Sequence, residues 1–151
     1  MVETKSNEEK YSRPSWDEYF MDVCRAIAKR ATCDRGRSGC VIARDNQLLV
    51  SGYVGAPKGL PHCDDVGHQF KKVQHEDGSV SQHCVRTVHA EQNAIIQAAM
   101  MGNSIEGATI YVTHQPCIIC AKMIINARIS AIIAKEGYPD DLALNLINEA
   151  N

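Results

Sequence analysis

The stretch ATIYVTHQPCIICAKMIINA, residues 108–127, contains the change of pattern that decides the fold. Its first part, ATIYVT, is rich in β-branched and aromatic residues and predicts a strand, whereas PCIICAKMIINA predicts a helix that begins near the proline. Cys117 and Cys120 stand one helical turn apart at that beginning, so both thiols face the same side. The free backbone N–H groups of a first helical turn favour thiolates. This position suits two metal ligands.

Helices and strands alternate on both sides of this stretch. We predict a helix at 15–31 that begins with a capping box of Ser15 and Glu18, and a β-hairpin of strands 39–43 and 47–53. Next come a helix at 89–101 that ends at Gly102, the strand ISAIIA, and the helix DDLALNLINEA. This order predicts an α/β fold in which helices cover a mixed central sheet, with a site at the carboxyl ends of the strands.

The composition is that of an ordinary globular protein. The 151 residues fit one domain, which we assign to 15–151, and the polar segment 1–14 is expected to be flexible. A net charge of −2 and a pI near 6.3 disfavour a long nucleic acid as partner. We recognise no secretory signal and no apolar run of about 18 residues, so we expect no membrane partner and a cytoplasmic location. In a reducing compartment, the seven cysteines are more often metal ligands or core residues than disulfides.

A Cys-x-x-Cys pair alone is ambiguous, because it can be a redox couple, half of a metal site or two buried residues. A catalytic zinc takes three protein ligands, and we expect the third from His89 at the start of the preceding helix. Glu91 follows closely, and 24 residues separate it from Pro116. The order H-x-E … P-C-x-x-C is the pattern of zinc-dependent deaminases. In that chemistry Zn²⁺ on His89, Cys117 and Cys120 activates a water, and Glu91 carries the protons without binding the metal.

Four segments resemble those of the deoxycytidylate (dCMP) deaminases, a family of the cytidine deaminase-like superfamily. They are ATCDRGRSGCVIA, GYVGAPKGLPHCDD, TVHAEQNAII and THQPCIICAKMIINA, and the resemblance extends from about Trp16 to Tyr138. It implies a three-layer α/β/α fold and the hydrolysis of dCMP to dUMP and ammonia, which feeds dTMP synthesis. It also implies a homo-oligomer, often a hexamer, with dCTP and dTTP as effectors and Mg²⁺ accompanying dCTP.

Substrate contacts are expected from the loop after the second strand and from nearby cations. Members of the family usually have Gly-Tyr-Asn-Gly in this loop, and the asparagine faces the sugar of the nucleotide. Val54 stands at that position here and cannot make the polar contact, which bears on recognition of the 3′-hydroxyl and on the effector response. The expected substrate-binding residues are Val54, Ala56, Arg35, Arg37, Lys58, Ala90 and Thr113, and Arg35, Arg37, Lys58 and Arg86 are the cations that could meet a phosphate.

The segment 55–86 shows little periodicity, so we predict a long loop that something must hold in place. Once Cys117 and Cys120 are assigned to the catalytic metal, and Cys24 and Cys40 to the core, three loop cysteines remain. Several members of the family carry a second, structural Zn²⁺. The expected ligands here are Cys33, Cys63 and Cys84 with His68, while His75 or His83 could replace His68. The alternative is three free thiols.

Other functions share part of this pattern. A tRNA adenosine deaminase would share the zinc and Glu91 but should carry a basic surface for RNA. A deaminase of free cytidine more often has a cysteine where His89 stands. A non-catalytic zinc-binding module would not need Glu91 beside an open metal position. The sequence therefore favours deamination of dCMP over these alternatives.

Overall fold

The computed structural model describes residues 10–137 and 140–151. Within these ranges the helices are α1 (Trp16–Ala28), α2 (Cys63–Val66), α3 (Ala90–Met101), α4 (Ile118–Asn126) and α5 (Asp141–Ala150). The strands are β1 (Gly39–Arg44), β2 (Gln47–Tyr53), β3 (Phe70–Gln74), β4 (Val80–Cys84), β5 (Thr109–His114) and β6 (Ala131–Glu136). None of the described helices is long and apolar enough to cross a membrane. Most of the segment predicted to be flexible, residues 1–9, lies outside the described ranges.

A mixed sheet in the order β2-β1-β5-β6 forms the middle layer. Strand β1 pairs antiparallel with β2 and β5, and β5 pairs in parallel with β6. The predicted hairpin is confirmed, because Asp45 and Asn46 join β1 to β2 with φ of 53° and 61°. Two positive φ values in a two-residue loop match the twist of the flanking strands. The mixed sheet under its helices confirms the predicted fold class.

Helices cover both faces of the sheet because β1 is apolar on both. Val41 belongs to a core cluster with Phe20 and Cys24 of α1. Ile42 points to the opposite face, since side chains alternate along a strand, and it belongs to a second cluster with Ala94 of α3. The cysteines predicted to be core residues, Cys24 and Cys40, are fully buried.

Two glycines let helices approach the sheet closely on its two faces. A Cβ atom at Gly39 would lie 2.8 Å from the backbone N of Ala28 in α1. A Cβ atom at Gly52 would collide with the carbonyl oxygen of Ala90 and lie 2.6 Å from the backbone N of Ala94. Any side chain at Gly52 would therefore push α3 away from β2.

Gly52→Ala is expected to lower the free energy of unfolding by about 2 kcal/mol or more, because overpacking against backbone atoms cannot be relieved by a rotamer change. Urea denaturation measures the effect. Gly36→Ala is the matched control, since a Cβ atom at Gly36 meets nothing within 4 Å. Equal unfolding midpoints for the two variants would contradict the close packing of α3.

The start of α1 is as predicted, but its end is not. Ser15 Oγ accepts a hydrogen bond from Glu18 N (3.2 Å), and the Glu18 carboxylate accepts one from Ser15 N (2.7 Å), so the capping box is confirmed. The helix ends at Ala28 rather than at residue 31. Ala31 is nevertheless buried, which explains why it fitted the helical spacing of the apolar residues.

The prediction that residues 55–86 form one long loop is wrong. This segment contains the short helix α2 and a second β-hairpin of β3 and β4. Its turn is formed by Gly78, with a φ of 81°, and by Asp77, whose carboxylate accepts a hydrogen bond from Ser79 N (2.9 Å). Most side chains of this hairpin are exposed. The strands therefore lack the apolar alternation that would reveal them in the sequence.

Candidate active site and metal clusters

Three ligating side chains meet where α3 and α4 begin. His89 is the N-cap of α3, Cys117 is the N-cap of α4, and Cys120 follows within the first turn of α4. His89 Nδ1 lies 3.6 Å from Cys117 Sγ and 3.5 Å from Cys120 Sγ. The structure thus brings together the three side chains predicted to hold the catalytic zinc, and we call them the first cluster.

Local hydrogen bonds hold the two helix starts. Gln92 Oε1 accepts a hydrogen bond from His89 N (3.0 Å) at the start of α3. The Asp140 carboxylate accepts one from Ile118 N (2.9 Å) at the start of α4 and another from Ala143 N (3.1 Å) at the start of α5. The C-terminal helix is therefore tied to the helix that carries both cysteines.

Hydrogen bonding separates the pKa values of the two thiols in the first cluster. The bond with Cys120 lowers the pKa of Cys117 to about 4. The same bond and burial raise the pKa of Cys120 well above its usual range. The hydrogen bond with Cys117 raises the pKa of His89. The protein groups alone favour one thiolate here, and a metal would displace the proton of the second thiol.

Glu91 is the carboxylate beside the first cluster. It lies in the first turn of α3, is only 5% exposed, and lines the same cavity as His89 and Cys117. Burial raises its pKa, because a low-dielectric environment disfavours the charged carboxylate. A buried carboxyl group with a raised pKa is suited to accepting and donating protons.

A second cluster contains the four side chains predicted to hold a structural zinc. Cys33 follows α1, Cys63 begins α2, His68 follows α2, and Cys84 ends β4. Their ligand atoms all lie within 4.8 Å of one another. Cys33 Sγ lies 3.6 Å from His68 Nδ1, and Cys63 Sγ lies 3.5 Å from Cys84 Sγ.

His68 is the histidine that joins this cluster, whereas the side chains of His75 and His83 lie next to Ser81. The other ring nitrogen of His68, Nε2, lies 3.0 Å from a carboxylate oxygen of Asp34. A carboxylate on the outer nitrogen orients a ligating imidazole and increases its basicity. The environment of His68 is therefore that of a metal ligand.

The thiols of the second cluster also differ in pKa. Burial raises the pKa of Cys63 to about 12. Burial opposes ionisation of Cys84 as well, but hydrogen bonds from the backbone of Arg86 and Gln69 lower its pKa to about 6. As in the first cluster, one thiolate is favoured before any metal binds.

The distances in both clusters fit tetrahedral zinc. Bonds of about 2.3 Å to sulfur and 2.0–2.1 Å to nitrogen place these two ligand atoms about 3.6 Å apart. The distances from His89 Nδ1 to the two sulfurs of the first cluster, and from His68 Nδ1 to Cys33 Sγ, are 3.5–3.6 Å. The second cluster offers four ligands, as closed structural sites do, while the first offers three and leaves a position for a reactant, as catalytic sites do.

A cavity of about 290 Å³ adjoins both clusters. Its lining includes Cys33 and Cys84 of the second cluster and His89, Glu91 and Cys117 around the first. The volume is near the lower end of the range for small-molecule sites, about 300 Å³. The arrangement can hold one small ligand against the first cluster.

Two of the predicted substrate-binding residues, Arg35 and Val54, line this cavity. Ala56 and Lys58 follow Val54 along the same loop, but Lys58 is exposed and neither is part of the described lining. Ala90 is fully buried and is also not part of the described lining.

Thr113 lies behind the cavity lining. Its Oγ1 atom accepts a hydrogen bond from Gly39 N (3.2 Å) and donates one to Ser38 Oγ (3.2 Å). Ser38, rather than Thr113, is the residue of this pair that lines the cavity.

Arg37 has a different role from the one expected. Its guanidinium donates two hydrogen bonds to the Asp64 carboxylate, of 2.9 and 3.0 Å, and one to the carbonyl oxygen of Ala31 (2.6 Å). These bonds attach α2 to the segment after α1. The expectation that Arg37 meets a phosphate is therefore corrected, since its donors are directed to Asp64 and Ala31.

Sequence reasoning did not assign several other residues of the cavity lining to a substrate site. His114 and Gln115 directly precede Pro116, so their place within the cysteine motif was a usable signal. Gln82 and His83 carried no such signal. They reach the cavity because β4 runs past it, and that strand was not predicted.

Comparisons with known proteins agree with this geometry. A sequence model of the cytidine and deoxycytidylate deaminase zinc-binding region matches residues 14–136. The ComE operon protein 2 of Bacillus subtilis is 42% identical over 126 residues, which are 83% of this chain and 62% of that protein. A deoxycytidylate deaminase of Schizosaccharomyces pombe is 34% identical over 131 residues, 85% of this chain but 39% of its own length. The chain thus spans less than two thirds of these two relatives.

Two phage proteins match over nearly their whole lengths. A deoxycytidylate deaminase of Mycobacterium phage D29 is 34% identical over 133 residues, which are 86% of this chain and 98% of that protein. The crystal structure of a dCMP deaminase from the cyanophage S-TIM5, in complex with dCMP and dUMP, superposes with a TM-score of 0.73. That match covers 93% of this chain and 95% of the other at 25% identity.

Proposed function

The chain belongs to the cytidine and deoxycytidylate deaminase zinc-binding family, and from that premise we propose that it hydrolyses dCMP to dUMP and ammonia. The observation that carries the proposal is the buried carboxylate of Glu91 beside the three-ligand cluster of His89, Cys117 and Cys120. Glu91 lines one cavity together with His89 and Cys117. The relatives named deoxycytidylate deaminase support the choice of substrate.

The chemistry requires one group that moves protons and one that activates water. Zn²⁺ held by His89, Cys117 and Cys120 would supply a Lewis acid that lowers the pKa of a reacting water. Glu91 takes a proton from the attacking water and passes it to the ring nitrogen next to the reacting carbon. The same carboxylate then carries the second proton to the departing amine, so water and dCMP give dUMP and ammonia.

We further propose that Cys33, Cys63, His68 and Cys84 hold a second, structural zinc. The closed set of four donors, the distances within it and the Asp34 carboxylate on His68 support this assignment. A metal there joins the segment after α1, helix α2 and strand β4. In this proposal, the second metal is what holds the segment 55–86 in place.

Assembly and regulation stay predictions from the family. We propose a homo-oligomer, with a hexamer as the first candidate, in the cytoplasm, where dUMP would feed dTMP synthesis. Regulation by dCTP with Mg²⁺ and by dTTP is part of the same proposal. Size-exclusion chromatography with light scattering, with and without dCTP and Mg²⁺, measures both the assembly and its response.

Ammonia release from dCMP, CMP, dCTP, deoxycytidine and adenosine tests the proposed function. We expect dCMP to exceed deoxycytidine by about 100-fold or more in kcat/KM, because charge-assisted hydrogen bonds to the phosphate are lost with the nucleoside. Equal rates on dCMP and deoxycytidine would contradict the nucleotide assignment. Preference for adenosine would indicate another deaminase.

A further inference from the structure

Strand β4 forms one wall of the cavity. Gln82, His83 and Cys84 at its end all line the cavity, although the rest of the hairpin is largely exposed. Arg35 attaches this strand to the segment after α1. Its Nη2 donates a hydrogen bond to the carbonyl oxygen of Gln82 (3.0 Å), and its guanidinium lies over the ring of Phe70, 5.0 Å from the centroid. The hairpin is therefore held against the cavity by interactions at its base.

A hydrogen-bond network orients the imidazole of His83. Ser81 Oγ lies 2.8 Å from His83 Nε2 and 2.8 Å from His75 Nε2, so the serine links the two rings. When Ser81 donates its proton to His83 Nε2 and accepts one from His75, the remaining nitrogen of His83, Nδ1, carries a hydrogen. His83 then offers an N–H donor to whatever it faces in the cavity.

The cavity lining is poor in permanent positive charge. Among the described lining residues, Arg35 is the sole arginine or lysine, while Glu91 contributes a carboxylate. Arg35 uses Nη2 for the Gln82 carbonyl, and its guanidinium has further N–H groups. Because Gln82 and His83 are adjacent in β4, this hydrogen bond holds the guanidinium of Arg35 against the strand that carries His83.

We propose that His83, together with Arg35, binds the 5′-phosphate of the substrate, and that Ser81 and His75 position His83. A phosphate monoester offers several strong acceptor oxygens, which match the N–H groups of a guanidinium and an imidazole. His83 then contributes to the specificity of the enzyme for nucleotides over nucleosides. This inference rests on the proposed deamination of dCMP.

The test compares paired substrates in variants of the hairpin. His83→Ala is expected to lower the ratio of kcat/KM for dCMP to that for deoxycytidine about tenfold, since a hydrogen bond to a charged group is lost. His83→Asn keeps an N–H donor and should retain most of the ratio. Ser81→Ala should lower the ratio about threefold by releasing the ring. Lys72→Ala removes a cation from the same hairpin that is not part of the lining, and it should leave the ratio unchanged.

Calorimetric binding of dUMP and deoxyuridine gives a readout independent of turnover. His83→Ala should weaken the binding of dUMP more than the binding of deoxyuridine. The zinc content of the variant should equal that of the wild type, which shows that the second cluster with the neighbouring Cys84 is intact. An unchanged substrate ratio in His83→Ala, or equal loss in the alanine and asparagine variants, would overturn the proposal. If the wild type deaminates neither dCMP nor deoxycytidine, the proposed function fails, and the binding comparison alone decides the role of His83.

Discussion

Glu91→Gln is expected to lower the turnover of dCMP by about 10²–10⁴-fold, because an amide cannot carry the protons that a positioned carboxylate transfers. The substitution preserves the shape of a side chain that is only 5% exposed, so α3 should keep its packing against β2. Single-turnover measurements report the chemical step. Zinc content and the unfolding midpoint should stay close to those of the wild type.

A second variant separates loss of proton transfer from loss of the metal. His89→Ala removes one of three ligands of the first cluster and should abolish both activity and about one zinc per chain, while stability is mostly retained. Glu91→Gln should keep that zinc. If Glu91→Gln retained more than about a tenth of the wild-type rate, Glu91 would not be the proton carrier.

Cys63→Ser is expected to lose one metal ion and, with it, part of the stability of the fold. The wild-type protein, purified without chelators, should contain about two zinc ions per chain, and the variant about one. Because the second cluster joins three separate segments, the loss of its metal releases α2 and β4 together. A loss of about 2 kcal/mol corresponds to a fall of roughly 4–8 °C in Tm for a chain of this length. Metal analysis and calorimetry measure the two effects.

Cys24→Ser is the matched control for this experiment. Cys24 is fully buried, lies outside both clusters and donates a hydrogen bond from Sγ to the carbonyl oxygen of Tyr111 (3.2 Å). A hydroxyl can replace that donor, so this variant should keep two zinc ions per chain. One zinc per wild-type chain would show instead that the second cluster holds no metal.

The sequence predicts well those parts of the molecule in which the spacing of residues along the chain directly reflects what the residues bury or bind in the folded protein. The strand and helix of residues 108–127 bury apolar residues at regular spacing. Two metal ligands on the first turn of a helix must likewise stand at a fixed separation in the sequence. His89, Cys117 and Cys120 therefore come together in the structure from spacing that is visible in the sequence. The capping box of Ser15 and Glu18 is local in the same sense.

The hairpin of β3 and β4 could not be predicted in this way. Its strands are mostly exposed, and its position depends on contacts with distant residues such as Arg35 and on the second cluster. The place of His83 in the cavity lining depends on that position, so the sequence offered His83 only as a possible metal ligand. Arg37 was expected to face the substrate because it is a cation close to Arg35 in the sequence. In the structure its guanidinium instead donates hydrogen bonds to Asp64. Which partner an exposed cation takes is a tertiary property.

The hairpin of β3 and β4 also has a base whose length must be kept and a turn whose length is free to vary. Its base is fixed by Cys84 and by the hydrogen bond from Val85 N to the Gln69 carbonyl (2.8 Å), whereas residues 76–79 at its tip are exposed. Insertions at an exposed turn carry a small entropic cost and leave the anchored ends in place. Related chains should therefore diverge by insertion and deletion at this turn, while the spacing within each ligand motif stays constant. The turn can then change in length without any change to the two clusters or to Glu91.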